Sequence, residues 1–375
     1  MKQSVLFIQE SMDGGGAEHV LVSILKHLPA DKYDITLLLI FNTGRLLDVI
    51  PDNIKVKYLF QDNKSLYTRL IFHSKYTRNR VLRHRALKAI GNKSFDVVVS
   101  FMEGLPLLLH ADLMHLASLN CSWIHCNIKT HYWYEWFLSR REEKEIYQKM
   151  DRIAFVSTGA KEAFESIYQT AADKVVIGNL QDSDEIVKKG VEYTPEKASE
   201  GFRLVTVGRL VEVKRQELLL EAVSILKKQG YEISLDILGV GPREKELKDL
   251  AISLGIEKHV NFRGFVSNPY PYIKNADLFC LTSESEGYPM VVAEALITGT
   301  PVLSTRVNGV TEMLSRGGGI IVEGKADVIA GEIKDIIDNP QKLKKLKEET
   351  RQSAKQFDLK TTVSQIEAFI TPRKS

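Results

Sequence analysis

Cysteine is scarce: Cys121, Cys126 and Cys280 are the three in a chain of 375 residues. Three cysteines make no even disulfide framework, and with no CxxC pair neither structural zinc nor a dithiol redox centre is indicated. A reducing compartment is the default expectation. Long apolar runs are missing too. Ile35 to Phe41 and Leu105 to Leu109 fall far short of the ~20 residues that cross a bilayer. Met1-Lys2-Gln3-Ser4 leads into only Val5 to Ile8 before Gln9 and Glu10, too short for a signal-peptide core. The expectation is a cytoplasmic protein whose membrane contact, if any, is peripheral. Nor is there an excess of one charge. Lys plus Arg number 51 against 48 for Asp plus Glu, a formal +3, so composition carries no nucleic-acid signature and any basic surface comes from local clustering.

What the chain has is 44% hydrophobic and 26% charged residues, enough for about two domains of ~150 to 200 residues each. Short β-branched or leucine-rich runs bounded by Gly, Pro or Asp alternate with segments of helical period, the pattern of parallel βαβ units. Strands are predicted at Val5 to Ile8, Ile35 to Ile40, Val56 to Leu59, Val97 to Phe101, Ser122 to His125, Ile153 to Val156 and Val175 to Ile177. Asp182 to Gly201 is polar, without a stable apolar period, and reads as a linker. The alternation restarts at Leu204 to Val207, Ser234 to Leu238, Val260 to Phe262, Leu278 to Leu281, Val302 to Ser304 and Ile320 to Val322. The expected fold class is α/β, two doubly wound parallel-sheet domains over 1–181 and 202–356, with a tail from 357 to 375. Ligands of such sheets bind at the carboxyl ends of the strands, which points to a site between the domains.

Three segments carry candidate chemistry. Gly14-Gly15-Gly16-Ala17-Glu18 follows the first strand and opens a helix. It is either an anion cradle or a flexible turn, and it matches neither GxGxxG nor the P-loop. Gly208-Arg209 to Lys214 begins where the first strand of the second half ends. The Arg fork and the Lys point charge suit a pyrophosphate leaving group, the alternative being a solvated helix start. Glu286 and Glu294 lie eight apart in Glu286-Gly287-Tyr288-Pro289-Met290-Val291-Val292-Ala293-Glu294. Pro289 suits the first helical position, which puts Glu286 in the preceding loop and Glu294 in the second turn. Glu286 as a cap and Glu294 as a surface charge is the plainer reading, yet Glu294 sits in an almost wholly apolar helix, where a carboxylate needs a partner.

Weaker candidates remain. His125 ends a first-half strand, although a lone histidine is more often structural. Cys121, His125 and Cys126 cluster without further ligands at zinc spacing. Asp182-Ser183-Asp184 lacks the preceding hydrophobic strand of a metal-binding DxD and reads as solvated. Lys64 to Lys93 carries nine Lys or Arg and no acid, interleaved with apolar residues. This basic amphipathic segment suits an anionic lipid surface better than a merely solvated face, with acidic nucleic acid a further account. Tyr132, Trp133, Tyr134 and Trp136 are an acceptor or interfacial patch, or a packed core.

Val207-Gly208-Arg209 to Lys214, Leu238-Gly239-Val240-Gly241-Pro242, Val260-Asn261-Phe262-Arg263-Gly264, Glu286 to Glu294 and Pro301 to Thr305 resemble, in order and spacing, the retaining glycosyltransferases of family 4. Gly15-Gly16-Ala17-Glu18 also resembles that family. The resemblance implies a GT-B fold, an acceptor-binding first domain and a second domain holding a nucleoside-diphosphate sugar, with no metal or other cofactor required. It assigns Arg209 and Lys214 to the donor diphosphate, Glu286 to donor-sugar hydroxyls, Glu294 to the ribose, and the Gly287 and Tyr288 amides to phosphate contacts, with Gly208 among the donor-binding residues. It maps the family's first-domain histidine to His125 and its glycine loop to Gly15 and Gly16. Asn308-Gly309 stands where relatives often carry Gly-Gly, and the segment from Phe357 is expected to cross back to the first domain. The implied reaction is retaining transfer of a hexosyl or N-acetylhexosaminyl group to a glycan hydroxyl, a lipid-linked acceptor of cell-surface polysaccharide at the inner membrane face. The partners are the donor, the acceptor and the membrane surface, not nucleic acid. Rival readings are a nucleotide-sugar epimerase of similar build and a non-catalytic binding subunit.

Overall fold

The computed structural model describes residues 2–62, 75–129, 137–196 and 201–372. Its strands are β1 (Gln3–Gln9), β2 (Tyr33–Phe41), β3 (Lys55–Phe60), β4 (Phe95–Ser100), β5 (Ala117–Ile124), β6 (Arg152–Phe155), β7 (Asp173–Val176), β8 (Phe202–Val207), β9 (Ile233–Leu238), β10 (Val260–Gly264), β11 (Leu278–Leu281), β12 (Val302–Thr305) and β13 (Gly319–Val322). They form one sheet in the order β3-β2-β1-β4-β5-β6-β7 and another in the order β10-β9-β8-β11-β12-β13. All pairings are parallel. The chain divides into two compact units, Met1–Leu180 with Lys360–Ser375, and Gln181–Leu359.

Strand order reverses once in each sheet, between β1 and β4 and again between β8 and β11. At such a switch point the loops leaving two neighbouring strands diverge to opposite faces and open a crevice at their carboxyl ends. In the second unit, alternate strand residues feed two cores. Leu278 and Cys280 join Leu204, Leu235 and Ile237 on one face, whereas Phe279 and Leu281 join Val205 and Leu238 on the other. Both faces of a parallel sheet are covered, so its strands read as continuous apolar runs.

The strands agree with the predicted set in number and place, with ends displaced. The largest difference is β5, which starts at Ala117 instead of Ser122. Ala117-Ser118-Leu119-Asn120 looks like a loop by composition, but it pairs with Phe95 to Val98 at the sheet margin. The polar stretch from Asp182 is not uniformly irregular: Ser183–Lys189 is a helix capped by the Asp182 side chain, which accepts from Glu185 N at 2.9 Å. Downstream, Arg203, only 2% exposed, donates to Asp236 and Arg263 donates to the same carboxylate at 2.7 Å. These two arginines also bond the Pro195 and Glu196 carbonyls, which ties the expected linker to the second unit. In the first unit Arg152 donates to the carbonyls of Ala368, Phe369 and Thr371, fixing the end of the helix Leu359–Ile370.

Candidate functional site

The switch point of the second sheet brings two of the expected residues together. Past β8, Leu210 N donates to Val240 O, and Leu210 O accepts from Arg243 N. This loop is pressed against the turn after β9. A Cβ on Gly239, at φ +138°, would lie 1.9 Å from Gly208 O, and one on Gly241 would lie 2.3 Å from Leu210 O. Only glycine allows that backbone-to-backbone approach. The loop after β11 is zipped to the same segment, with Glu284 N donating to Val213 O at 2.8 Å and Thr282 Oγ1 to Lys214 O at 3.0 Å.

Lys214 Nζ therefore stands 2.5 Å from Glu286 Oε1, and Ser283 Oγ donates to the same oxygen at 2.6 Å. Glu286 Oε2 has no partner among the described residues, and the ammonium has two further N–H donors. The pair can thus hold an anion on the lysine and hydroxyl groups on the carboxylate at one place. Arg209 belongs to the same loop, its carbonyl bonded by Gln216 Nε2 at 3.0 Å. Its exposed side chain makes no hydrogen bond or ion pair among the described residues, so the structure does not join it to Glu286.

Glu286 lies in the loop and Glu294 in the helix Met290–Thr298. Pro289 is the residue before that helix, with an extended ψ of 102°, rather than its first member. Gly309, at φ +76°, approaches closely: its Cβ would be 3.0 Å from Gly287 O and 3.1 Å from Tyr288 Cα. A single glycine thus meets the Gly287-Tyr288 turn. Glu294 is 9% exposed and its carboxyl has no partner among the described residues. Burial pushes its pKa up to about 7. Tyr270 is its ionisable neighbour, the phenol pushed upward first by burial and then by Glu294. The structure does not place Glu294 against Lys214 or Glu286.

In the first unit, His125 follows the end of β5. Its ring packs on Phe101, 4.6 Å between centroids, and stacks on Trp123. Burial holds it neutral, its pKa lowered to about 3, and the Phe101 backbone is its polar neighbour. Nε2 is buried with no protein partner, which leaves it as an acceptor for a hydroxyl. Sequence reasoning missed Glu103, which is 5% exposed and accepts from His125 N at 2.7 Å and Cys126 N at 3.1 Å. An acid three residues past β4, at the switch point, was the signal that could have found it.

The glycine turn opens the first helix of the chain, as its sequence suggests. Gly15 caps the helix Gly16–His27, and the Glu18 carboxylate folds over it, 2.5 Å from where a Cβ would sit. Nearby, burial and then the charges of Glu18 and Asp13 push the Glu10 carboxyl up to about 7. The Glu18 carboxylate thus lies over Gly15, while Gly16 has open space where a Cβ would sit.

Comparison with known proteins decides the identity of the second unit. Residues 194–353 match the family described as "Glycosyl transferases group 1". They form a group 1 glycosyltransferase domain. The chain is 22% identical over 373 residues to an uncharacterized glycosyltransferase of Haemophilus influenzae, covering 97% of this chain and 99% of that protein. It is 38% identical over 138 residues to the O-antigen biosynthesis glycosyltransferase WbnH of Escherichia coli, covering 37% of this chain and 38% of that one. A crystal structure of Anabaena Alr3699/HepE in complex with UDP and glucose superposes with a TM-score of 0.78 at 19% identity, covering 97% and 98% of the two chains. WbnH, at 38% identity, is thus matched over less than half its length. The fold is thus GT-B, two Rossmann-like parallel-sheet domains.

Lys214, Glu286 and Glu294 all lie within the group 1 domain. Outside it, the helix Lys75–Ile90 is the described part of the basic segment. Arg78 is no surface charge there: it is buried, donates to Phe137 O at 2.9 Å and lies over the Phe137 ring. Arg80, Arg83 and Lys88 are exposed. Lys64 to Arg69 and the aromatic run Tyr132 to Trp136 lie outside the described residues. Asp182 caps a helix, and among the described residues no three His, Cys, Asp or Glu side chains group so as to hold a metal ion. No helix among them is long and apolar enough to cross a membrane.

Proposed function

We propose that the protein transfers a hexosyl or N-acetylhexosaminyl group from a nucleoside-diphosphate sugar to a hydroxyl of a lipid-linked glycan, retaining anomeric configuration, as a family 4 enzyme without a metal. The observation that carries the reading is the Lys214–Glu286 pair at the β8/β11 switch point. Lys214, with Arg209 swinging from the same loop, takes the diphosphate, while the Gly287 and Tyr288 amides add phosphate contacts and Glu286 turns to donor-sugar hydroxyls. Glu294 receives the ribose hydroxyls, and His125 Nε2 accepts from the sugar. The bond between the anomeric carbon and the diphosphate oxygen breaks and the acceptor oxygen bonds from the same face. Its proton passes to the departing phosphate, whose charge the two cations stabilise. The O-antigen role in the name of WbnH and the UDP and glucose of the HepE complex support a nucleotide-sugar donor and a cell-surface glycan. A lipid-linked acceptor sets the work at the inner membrane face.

Incubation with a panel of nucleotide sugars and glycan lipids, with product stereochemistry read by NMR, tests the reading. Retention is expected, and an inverted product overturns it. Lys214→Ala is expected to lower turnover by roughly 10²- to 10³-fold, the scale of a lost charge-stabilising donor. A donor converted without any acceptor would instead mark an epimerase. Donor binding that needs Glu286 without transfer to any acceptor would mark a binding subunit.

A further inference from the structure

We propose that the groove between β3 and the helix Lys75–Ile90 binds the phosphodiester headgroups of an anionic lipid surface. This rests on the inner-membrane reading above and assigns it a place. The groove has a volume of about 900 Å³, and its polar lining includes Lys57, Arg80, His84, Arg85 and Lys88 and no acid. Arg80, His84 and Lys88 recur every four residues and so form one stripe on the helix. Lys57 faces them from the strand. Arg85 is fixed at the floor, donating to Leu59 O at 2.7 Å and lying over the Phe60 ring at 4.5 Å.

Two features separate this groove from a merely solvated helix face. Other helices of the chain neutralise their cations one turn away, as Lys245 does with Asp249, Lys248 with Glu244 and Lys334 with Asp338. Lys57, Arg80, His84 and Lys88 have no carboxylate partner among the described residues, so their repulsion is left for an external anion to offset. The groove is also walled from two elements, with Val81, Ala89 and Leu59 supplying an apolar lining beside the cations. That mixture fits a phosphodiester attached to a hydrocarbon. Single-stranded nucleic acid would want a series of stacking platforms, and Tyr58 and the His84 imidazole are the two aromatic rings in the described lining. The reacting acceptor is not the occupant, because β3 is separated from the β1/β4 switch point by β2, and the groove follows the body of the strand rather than its carboxyl end.

The full-length chain is floated with vesicles of phosphatidylglycerol in phosphatidylcholine and with phosphatidylcholine alone. Binding is expected only to the former. At about fivefold per basic residue, Lys57→Gln with Lys88→Gln is expected to weaken it by roughly 30-fold. Arg83→Gln with Lys93→Gln removes the same charge from exposed positions outside the groove and is expected to cost far less. Equal losses overturn the groove and leave the membrane reading standing. No wild-type binding overturns both, whatever the outcome of the transfer assay. Release of the protein from vesicles by a short RNA, dependent on Lys57 and Lys88, also overturns the assignment.

Discussion

Glu294 sits where its charge is costly, and that cost has a testable sign. Burial pushes its carboxyl from the ordinary 4.5 up to about 7 in the folded chain, so between these values the folded form holds a proton that the unfolded form has lost. The stability this gives is full below the unfolded value and disappears as pH rises through about 7, a change of about 3 kcal/mol at 1.36 kcal/mol per unit. Glu294→Gln keeps the shape without the charge. Denaturant midpoints are expected to coincide for variant and wild type near pH 4.5 and to favour the variant by up to about 3 kcal/mol at pH 8. An equal difference at both pH values would refute the burial argument. If the carboxylate receives ribose hydroxyls, nucleotide binding tightens in the wild type between pH 6 and 8 and does not in the variant, which calorimetry with UDP can read. His125 gives the complementary case. Held at about 3 by burial, its ring is expected to stay neutral from pH 5 to 8, and an imidazole nitrogen shift moving in that range would contradict the packing against Phe101 and Trp123.

The loop after β8 is shaped less by its own residues than by the glycines that cross it. Gly239→Ala would drive a Cβ to 1.9 Å from Gly208 O at a φ of +138°. The expected loss exceeds about 3 kcal/mol in urea unfolding, since strain of this kind alone costs ~1–3 kcal/mol. Gly208→Ala meets only the Lys214 side chain at 3.7 Å or more and is expected to cost far less. Comparable losses in the two variants would show that the turn after β9 does not set the loop. This asymmetry was not legible in the sequence, where both glycines carry equal weight in the motif. The strands were legible because parallel strands covered on both faces must be apolar throughout. Ala117 to Asn120 escaped because marginal strand residues are chosen by their partners. Pro289 was misplaced by one residue, its fixed φ suiting the position before the helix as well as the first within it. Glu103 leaves only its place three residues past β4 as a trace in the sequence, because what makes it notable is the pair of amides from another strand's end.

At the scale of the whole molecule, the expected return of the segment from Phe357 to the first domain rests on the family resemblance alone; its own residues do not name the sheet it covers, because that choice rests on contacts hundreds of residues away. The structure groups Lys360–Ser375 with the first unit. Ile366, Phe369 and Ile370 are buried, Phe369 packs edge-on to Trp123 at 5.4 Å, and Gln3 Nε2 donates to Ile370 O at 2.5 Å. Removing the chain from Lys360 onward exposes these three side chains' sites, about 6 kcal/mol at roughly 2 kcal/mol each, and leaves Arg152 without its three carbonyls. Stabilities of ~5–15 kcal/mol are usual for a domain, so the loss is large for the unit that suffers it. The second unit keeps its two cores, neither of which includes a residue of that helix. Calorimetry of the truncated chain is therefore expected to show an early transition for the first unit and a late one near the wild-type temperature for the second. Retained nucleoside-diphosphate protection of the late transition alone would assign donor binding to the group 1 domain. A single transition shifted as a whole would show instead that the two units unfold as one.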